Sequence, residues 1–274
     1  MTIQTTPTPH RPNSSIDGLE GTTFTLADAQ VKRRMILSIE GDYGTGKTDL
    51  ALTAPGPIAF FKMDLNSEFT IARFAKNKKI YKTEYAIPRV DDPKAQDLAE
   101  SAWRVFNNDY SKAIQSPLIR TVVWDTATEL WELVRLASFG RLTNIMPHHY
   151  VAVNNAFRAL IKAAFDSDTN LVMVHRLKDE WMNYTAADGK EKGKRTGKKE
   201  RAGFGDVGFA CQVMVQTTFD PDNAESPFQM KVLKCTQNPL ITHRIYGQAG
   251  DMRMNSFSVL ATDVFPGTSL DGWE

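Results

Sequence analysis

The chain has 274 residues, 42% of them apolar, and a formal net charge of +1. That is enough apolar material for one large α/β domain or a core with a small appendage, and the charge balance excludes a global attraction to nucleic acid or membrane, so such binding needs a local patch. No apolar run approaches a membrane span, the N-terminus lacks a signal peptide's layout, and Cys211 and Cys235 sit in apolar strand-like runs as reduced residues of a cytoplasmic protein.

Residues 1 to about 20 are rich in Thr, Pro, Ser and Asn and read as a disordered tail. A single domain is expected over 21–265, followed by a loosely held C-terminus over 266–274. The first strand, Met35 to Glu40, leads into Gly41-Asp42-Tyr43-Gly44-Thr45-Gly46-Lys47-Thr48, a complete G-x-x-x-x-G-K-S/T phosphate loop, and then a helix from Asp49 to Leu52. Strand, loop and helix in that order separate a working loop from a chance match. The expected nucleotide contacts are Gly41, Asp42, Tyr43, Gly44, Thr45, Gly46, Lys47, Thr48 and Asp49. Backbone N–H groups and the helix N-terminus meet phosphate oxygens, Lys47 reaches the β- and γ-phosphates, and the Thr48 hydroxyl holds Mg²⁺. ATP and Mg²⁺ are therefore the expected ligands.

Pro57 to Met63 is a second buried strand ending at Asp64, with a short helix from Phe69 to Phe74 after it. Ile80 to Ile87 alternates as a strand, and Pro93 to Tyr110 is helical with Leu98, Ala102, Val105 and Phe106 on one stripe. Leu118 to Trp124 is a strand closed by Asp125, which matches the Walker B position and is the second expected Mg²⁺ ligand. Helices follow over Glu129 to Phe139 and Tyr150 to Phe165, and the latter buries Val153, Phe157, Leu160, Ile161 and Ala164. His148 and His149 are adjacent, so they diverge on a helix and read as helix-start residues rather than a metal pair. Leu171 to Val174 is a strand ending at His175. Alternating strands and helices predict a mostly parallel sheet flanked by helices.

Thr126 stands where a second Walker B acid would be, so the water-activating carboxylate has to come from elsewhere. Asp64 and Glu68 are the candidates, with Glu129 weaker. His175 is placed to sense the γ-phosphate, with Arg176 and Lys178 as alternative phosphate contacts. Beyond it, Trp181 to Tyr184 opens a hairpin, and Lys190 to Arg201 holds seven basic residues and two acidic ones with no apolar residue. This reads as a mobile loop suited to phosphate backbones, with Lys192, Lys194, Arg195, Lys198, Lys199 and Arg201 as nucleic-acid candidates, or as a finger into a neighbouring subunit's site. Val213 to Phe219, Gln229 to Cys235 and Thr242 to Tyr246 read as strands that extend the sheet in antiparallel fashion.

The phosphate loop, Asp64, the Walker B run Thr121 to Leu130 with Asp125-Thr126, His175 and the basic run together resemble the RecA-like core of phage-encoded ATP-binding proteins. Some of those act as single-strand annealing recombinases. The resemblance covers about Arg33 to Tyr246. It implies an ATP-hydrolysing homo-oligomer, ring or filament, on single-stranded DNA, with ATP between subunits and a single-strand DNA-binding protein as a further partner. It places the protein in the cytoplasm of a bacterial host. The family's catalytic glutamate, two residues beyond the second-strand Asp, is Asn66 here, which implies slow turnover unless Asp64 or Glu68 substitutes. A small-molecule or nucleoside kinase and a nucleotide-binding regulatory or assembly protein are the alternatives. A GTPase is disfavoured, because Asn77-Lys78 is followed by Lys79-Ile80 rather than x-Asp.

Overall fold

The computed structural model describes residues 32–140, 149–185, 191–224, 226–248 and 255–273, with the side chains of Glu191 and Lys192 left out. The expected tail, His148 and Lys190 lie outside these residues. The compact unit starts at Arg33.

Six strands run parallel: β1 (Ile36–Gly41), β2 (Ile58–Lys62), β3 (Ile80–Glu84), β4 (Thr121–Asp125), the first part of β5 (Asn170–Thr185), and β7 (Val213–Phe219). β6 (Glu191–Arg201) pairs antiparallel with the far half of β5, and β8 (Phe228–Cys235) and β9 (Ile245–Tyr246) continue antiparallel from β7. The order across the sheet is β3-β2-β4-β5-β1-β7-β8-β9. β5 thus lies between the strand that feeds the phosphate loop and the strand that ends at Asp125. One expectation is amended: β7 joins the sheet parallel to β1, and the antiparallel extension begins only at β8.

Side chains of the central strands alternate between two buried layers, as a sheet covered on both faces requires. Leu37, Ile39, Phe60, Val123, Val172 and Val174 face one layer with Leu50 of α1 (Lys47–Leu52), Ile71 of α2 (Glu68–Ala75) and Leu260 of α7 (Phe257–Val264). Ile36, Phe61, Trp124, Leu171 and Met173 face the other. That layer is closed by α3 (Ala95–Gln115), α4 (Ala127–Phe139) and α5 (Tyr150–Asp166), and the short α6 (Val207–Ala210) adds Val207. Its centre is aromatic. Trp124 meets Tyr110 edge-on at 5.2 Å and Phe157 at 5.6 Å between ring centres.

The α5 face is as expected, with Val153, Phe157, Leu160, Ile161 and Ala164 all buried. The α3 stripe is not. Leu98 and Val105 are exposed, and the buried line is Ala95, Ala99, Phe106, Tyr110 and Ile114. α3 packs on α4 through small residues, so its inner face is marked by alanine rather than by its largest side chains. His149 precedes α5 as its N-cap residue, in line with a helix-start reading.

The C-terminus differs from the loosely held segment expected. α7 begins on Ser256, whose hydroxyl accepts from the Val259 N–H at 3.3 Å. The chain then ends in a 3-10 turn, Leu270–Trp273, that buries Trp273. The indole stacks on Phe265 at 5.3 Å and donates to Thr268 Oγ1 at 3.0 Å, and the Trp273 carbonyl accepts from Ser258 Oγ at 2.9 Å. Trp273→Ala is expected to cost about 3 kcal/mol, read as a thermal midpoint lowered by several degrees. An unchanged midpoint would mean that this docking contributes nothing to stability.

Candidate functional site: a phosphate loop at the mouth of the sheet

β1 is buried throughout and ends at Gly41, where two neighbours leave no room for a side chain. A Cβ there would lie 2.7 Å from Thr45 Oγ1 and 2.8 Å from the Thr217 carbonyl of β7. The two threonines also bond to each other, hydroxyl to hydroxyl, at 2.8 Å, and Thr45 Oγ1 donates to the Asp42 carbonyl at 2.8 Å. The loop is therefore clamped from the β7 side. Gly46, at φ 80°, caps α1 in the left-handed region and turns the first-turn N–H groups toward the loop. Lys47 Nζ donates to the Asp42 carbonyl and is held there. Burial pushes the Lys47 ammonium below its ordinary pKa, with Asp125, Asp42 and Asp64 opposing the shift.

A cavity of about 430 Å³ opens over the loop, within the size range of small-ligand sites. All nine expected nucleotide contacts from Gly41 to Asp49 line it, as do Asp64 and Asp125. Asp125 is 1% exposed, and Thr48 Oγ1 donates to its Oδ2 at 3.1 Å. Burial raises the Asp125 carboxyl to a pKa of about 6, an increase that the Thr48 bond and Lys47 reduce and Asp64 adds to. A buried carboxylate beside a hydroxyl at the foot of a phosphate cavity fits Mg²⁺, which takes only one or two protein ligands and fills its other positions with phosphate and water. No group of three or more acidic, His or Cys side chains that could hold a metal exists among the described residues.

The second wall comes from the β2–α2 turn. Met63 and Asp64 both donate their backbone N–H to the Asp125 carbonyl, at 2.7 and 3.0 Å, so the ends of β2 and β4 are tied together. Asp64 accepts from Arg176 at 3.3 Å and from the Asn66 N–H at 3.3 Å. Asn66, Ser67 and Thr70 line the cavity beside it. Glu68 is not brought in: it lies outside the lining and pairs with Lys62 at 3.1 Å. Of the two carboxylates considered for water activation, the fold therefore leaves Asp64 at the cavity. Glu129 bonds Arg176 at the margin. Thr126, which displaces a second Walker B acid, has a local role: its hydroxyl accepts from the Glu129 N–H at 3.2 Å and caps α4.

A family model described as an AAA domain matches residues 33–208, more than half of the chain. The chain belongs to this AAA-domain family. Among solved structures it is similar to the KaiC-like protein PH0186 from the hyperthermophilic archaeon Pyrococcus horikoshii OT3. Identity is 12% over 77% of this chain and 83% of that one, with a TM-score of 0.41. No curated protein matches. The AAA domain is a P-loop ATPase domain, and the family implies a bound nucleotide with Mg²⁺.

In this AAA domain His175 does not reach the cavity. It pairs with Glu40 across β1–β5 and is fully buried, and neither ring nitrogen has a partner in hydrogen-bond geometry, although the Ala202 backbone stands beside the ring. Burial first and the nearby Arg201 cation second push its pKa down to about 3, so the ring is neutral at physiological pH. The next residue on the strand points the other way, and Arg176 lines the cavity while joining Asp64 to Glu129. Arg176, one of the alternative phosphate contacts, and not His175, thus lines the cavity. Lys178 instead pairs with Glu200 at 3.1 Å.

The basic run of the AAA domain is strand rather than mobile loop. β6 pairs with β5 from Arg201↔Leu177 to Glu191↔Thr185, with a bulge at Thr196 to Lys198 opposite Glu180. Arg201 is nearly buried and lies 3.6 Å from Glu40, so it roots the hairpin in the sheet and is withdrawn from the nucleic-acid candidates. Lys199 donates to the Asp42 carboxylate of the phosphate loop at 2.5 Å. Arg195 pairs with Asp179 at 3.2 Å and sits over the Trp181 ring at 5.3 Å. Trp181, Met182 and Tyr184 are exposed along the outer half, across from Lys192, Lys194 and Arg195. Sequence reasoning missed the part played by Thr217, which carries no motif and is recognisable only once β7 is placed beside β1.

Proposed function

We propose that the protein is a Mg²⁺-dependent ATPase acting on single-stranded DNA in recombination or DNA processing, of the phage-encoded recombinase type, working in the cytoplasm as a homo-oligomer beside a single-strand DNA-binding protein. One observation carries the DNA part. β5 runs without a break from Arg176 at the phosphate cavity to a hairpin whose exposed Trp181 and Tyr184 lie among Lys194, Arg195 and Lys198. Aromatic rings on a basic ribbon suit unstacked bases and their phosphates. No helix among the described residues is long and apolar enough to cross a membrane.

The chemistry expected of the site is in-line attack of water on the γ-phosphorus with cleavage of its bond to the β–γ bridging oxygen, which releases ADP and phosphate. Loop N–H groups and Lys47 hold the phosphates, and Mg²⁺ held by Thr48 and Asp125 supplies charge neutralisation. Asp64 orients the water and accepts its proton. Asn66 lines the cavity without a carboxylate, and this favours the second reading, a nucleotide-binding regulatory protein with little turnover.

The decisive measurement is ATP hydrolysis with and without single-stranded DNA. Stimulation of tenfold or more, comparable to effects of general-base positioning, is the expected result. Hydrolysis indifferent to DNA would sink the DNA assignment, a phosphorylated small molecule would make the protein a kinase, and tight binding without turnover would support the regulatory reading.

A further inference from the structure

The phosphate loop itself carries an acid. Asp42 follows Gly41 at the first variable position of the loop and lines the phosphate cavity. Burial lowers the pKa of the Lys47 ammonium, and Asp42 is among the acids that oppose the shift, so its charge is felt where the phosphates would lie. A carboxylate there repels an anionic ligand unless a cation stands against it. That cation comes from the hairpin. Lys199 Nζ donates to Asp42 Oδ1 at 2.5 Å. Its neighbours on β6 turn elsewhere: Arg195 to Asp179 and Glu200 to Lys178 within the hairpin, and Arg201 to Glu40 on β1. The Arg201 contact and the Ala202 N–H on the Arg176 carbonyl, at 2.9 Å, fix the end of β6 against the sheet and so place Lys199 beside the loop.

We propose that Lys199 is a positioning residue of the nucleotide site: it neutralises Asp42 and so strengthens the loop's hold on a triphosphate. The inference rests on the nucleotide reading above and deepens it, giving the loop a cation from outside its own motif. The two side chains are nearly half exposed, at 45% and 43%, so the effect is a screened one that depends on salt. It grows with the charge of the ligand and is larger for ATP than for ADP.

The test titrates fluorescent ATP and ADP analogues in Mg²⁺ into wild type, Lys199→Ala, Lys199→Arg, Asp42→Asn and the double variant of Lys199→Ala with Asp42→Asn, at low and high ionic strength. Lys199→Ala is expected to weaken ATP binding roughly five- to twentyfold at low salt and ADP binding less, with the loss shrinking as salt is added. Lys199→Arg should hold wild-type affinity, and Asp42→Asn should bind ATP more tightly than wild type. Adding Asp42→Asn to Lys199→Ala should restore the wild-type affinity, because the loop is then neutral again. Melting without nucleotide is the control, since loss of an exposed ion pair moves the midpoint by about 3 °C at most. An unchanged affinity in Lys199→Ala, a loss that salt does not reduce, a loss that Asp42→Asn does not repair, or a larger fall in the midpoint would overturn the assignment. A wild type that binds no ATP overturns this and the nucleotide reading together, whereas a wild type that binds ATP no better than Lys199→Ala does overturns this inference alone.

Discussion

Lys47→Ala should weaken ATP binding by roughly a hundredfold or more and stop hydrolysis, while leaving the fold intact. The side chain is expected to give up charge-assisted bonds to two phosphates, each worth about 1.5–3 kcal/mol. Its own structural contact is a single donation to the Asp42 carbonyl, in a loop held independently by Thr45 and Thr217. Moving that ammonium to phosphate costs little, and deleting it leaves no buried partner unmatched, because the Asp42 carbonyl still accepts from Thr45 Oγ1. Titration with a fluorescent ATP analogue decides the matter, with circular dichroism as the control. Wild-type affinity in the variant would remove the loop from the nucleotide site.

Asp125→Asn should do two opposite things. It should abolish Mg²⁺-dependent ATP hydrolysis, since in the proposed site the buried carboxylate and the Thr48 hydroxyl would hold the metal. It should also stabilise the nucleotide-free protein. Burial holds the Asp125 carboxyl at a pKa of about 6, above its ordinary 3.8. With a raised folded pKa, the folded state binds the extra proton, so stability is fully present below about pH 4 and is lost as pH climbs through about 6. At neutral pH the ionised group costs on the order of 2–3 kcal/mol, which Asn avoids. The expected result is a melting midpoint several degrees higher than wild type at pH 7, with the difference shrinking toward pH 4. A lower midpoint at pH 7 would show that the Thr48 bond outweighs burial. Mg²⁺ with ATP should raise the wild-type midpoint and leave that of the variant where it is.

The parallel core was legible because its central strands β1, β2, β4 and the first part of β5 are nearly continuous apolar runs and α5 carries a periodic apolar face. Trp124 and Asp125 could be read in one glance, as could the five buried positions of α5. The hairpin was legible at its opening, Trp181 to Tyr184, but not along its return strand. Its strands stand clear of the sheet with both faces in water, so no buried face imposes a two-residue alternation on Lys192 to Arg201. Charge density pointed to a loop, whereas cross-strand pairs such as Arg195 with Asp179 and Lys178 with Glu200 make it a ribbon. α7 was lost for the opposite reason: buried nearly all round, it shows no polar face to mark its period. At the site, the loop and Asp125 followed from motif and order. Arg176 replaced His175 because adjacent strand residues face opposite ways, and a shift of one residue moves a side chain from the cavity into the core.

β5 is one strand from Asn170 to Thr185, rooted by Arg201 against Glu40 and by the Ala202 N–H on the Arg176 carbonyl at 2.9 Å. At about 3.3 Å per residue, Tyr184 stands roughly 25 Å beyond that root. The geometry is that of a lever with a short arm at the phosphate cavity and a long one at the tip. A tilt of about 5° where Arg176 meets Asp64 and Glu129 sweeps the tip through about 2 Å over that length. A load on Trp181 and Tyr184 would act on the cavity through Arg176, the strand residue that joins Asp64 to Glu129.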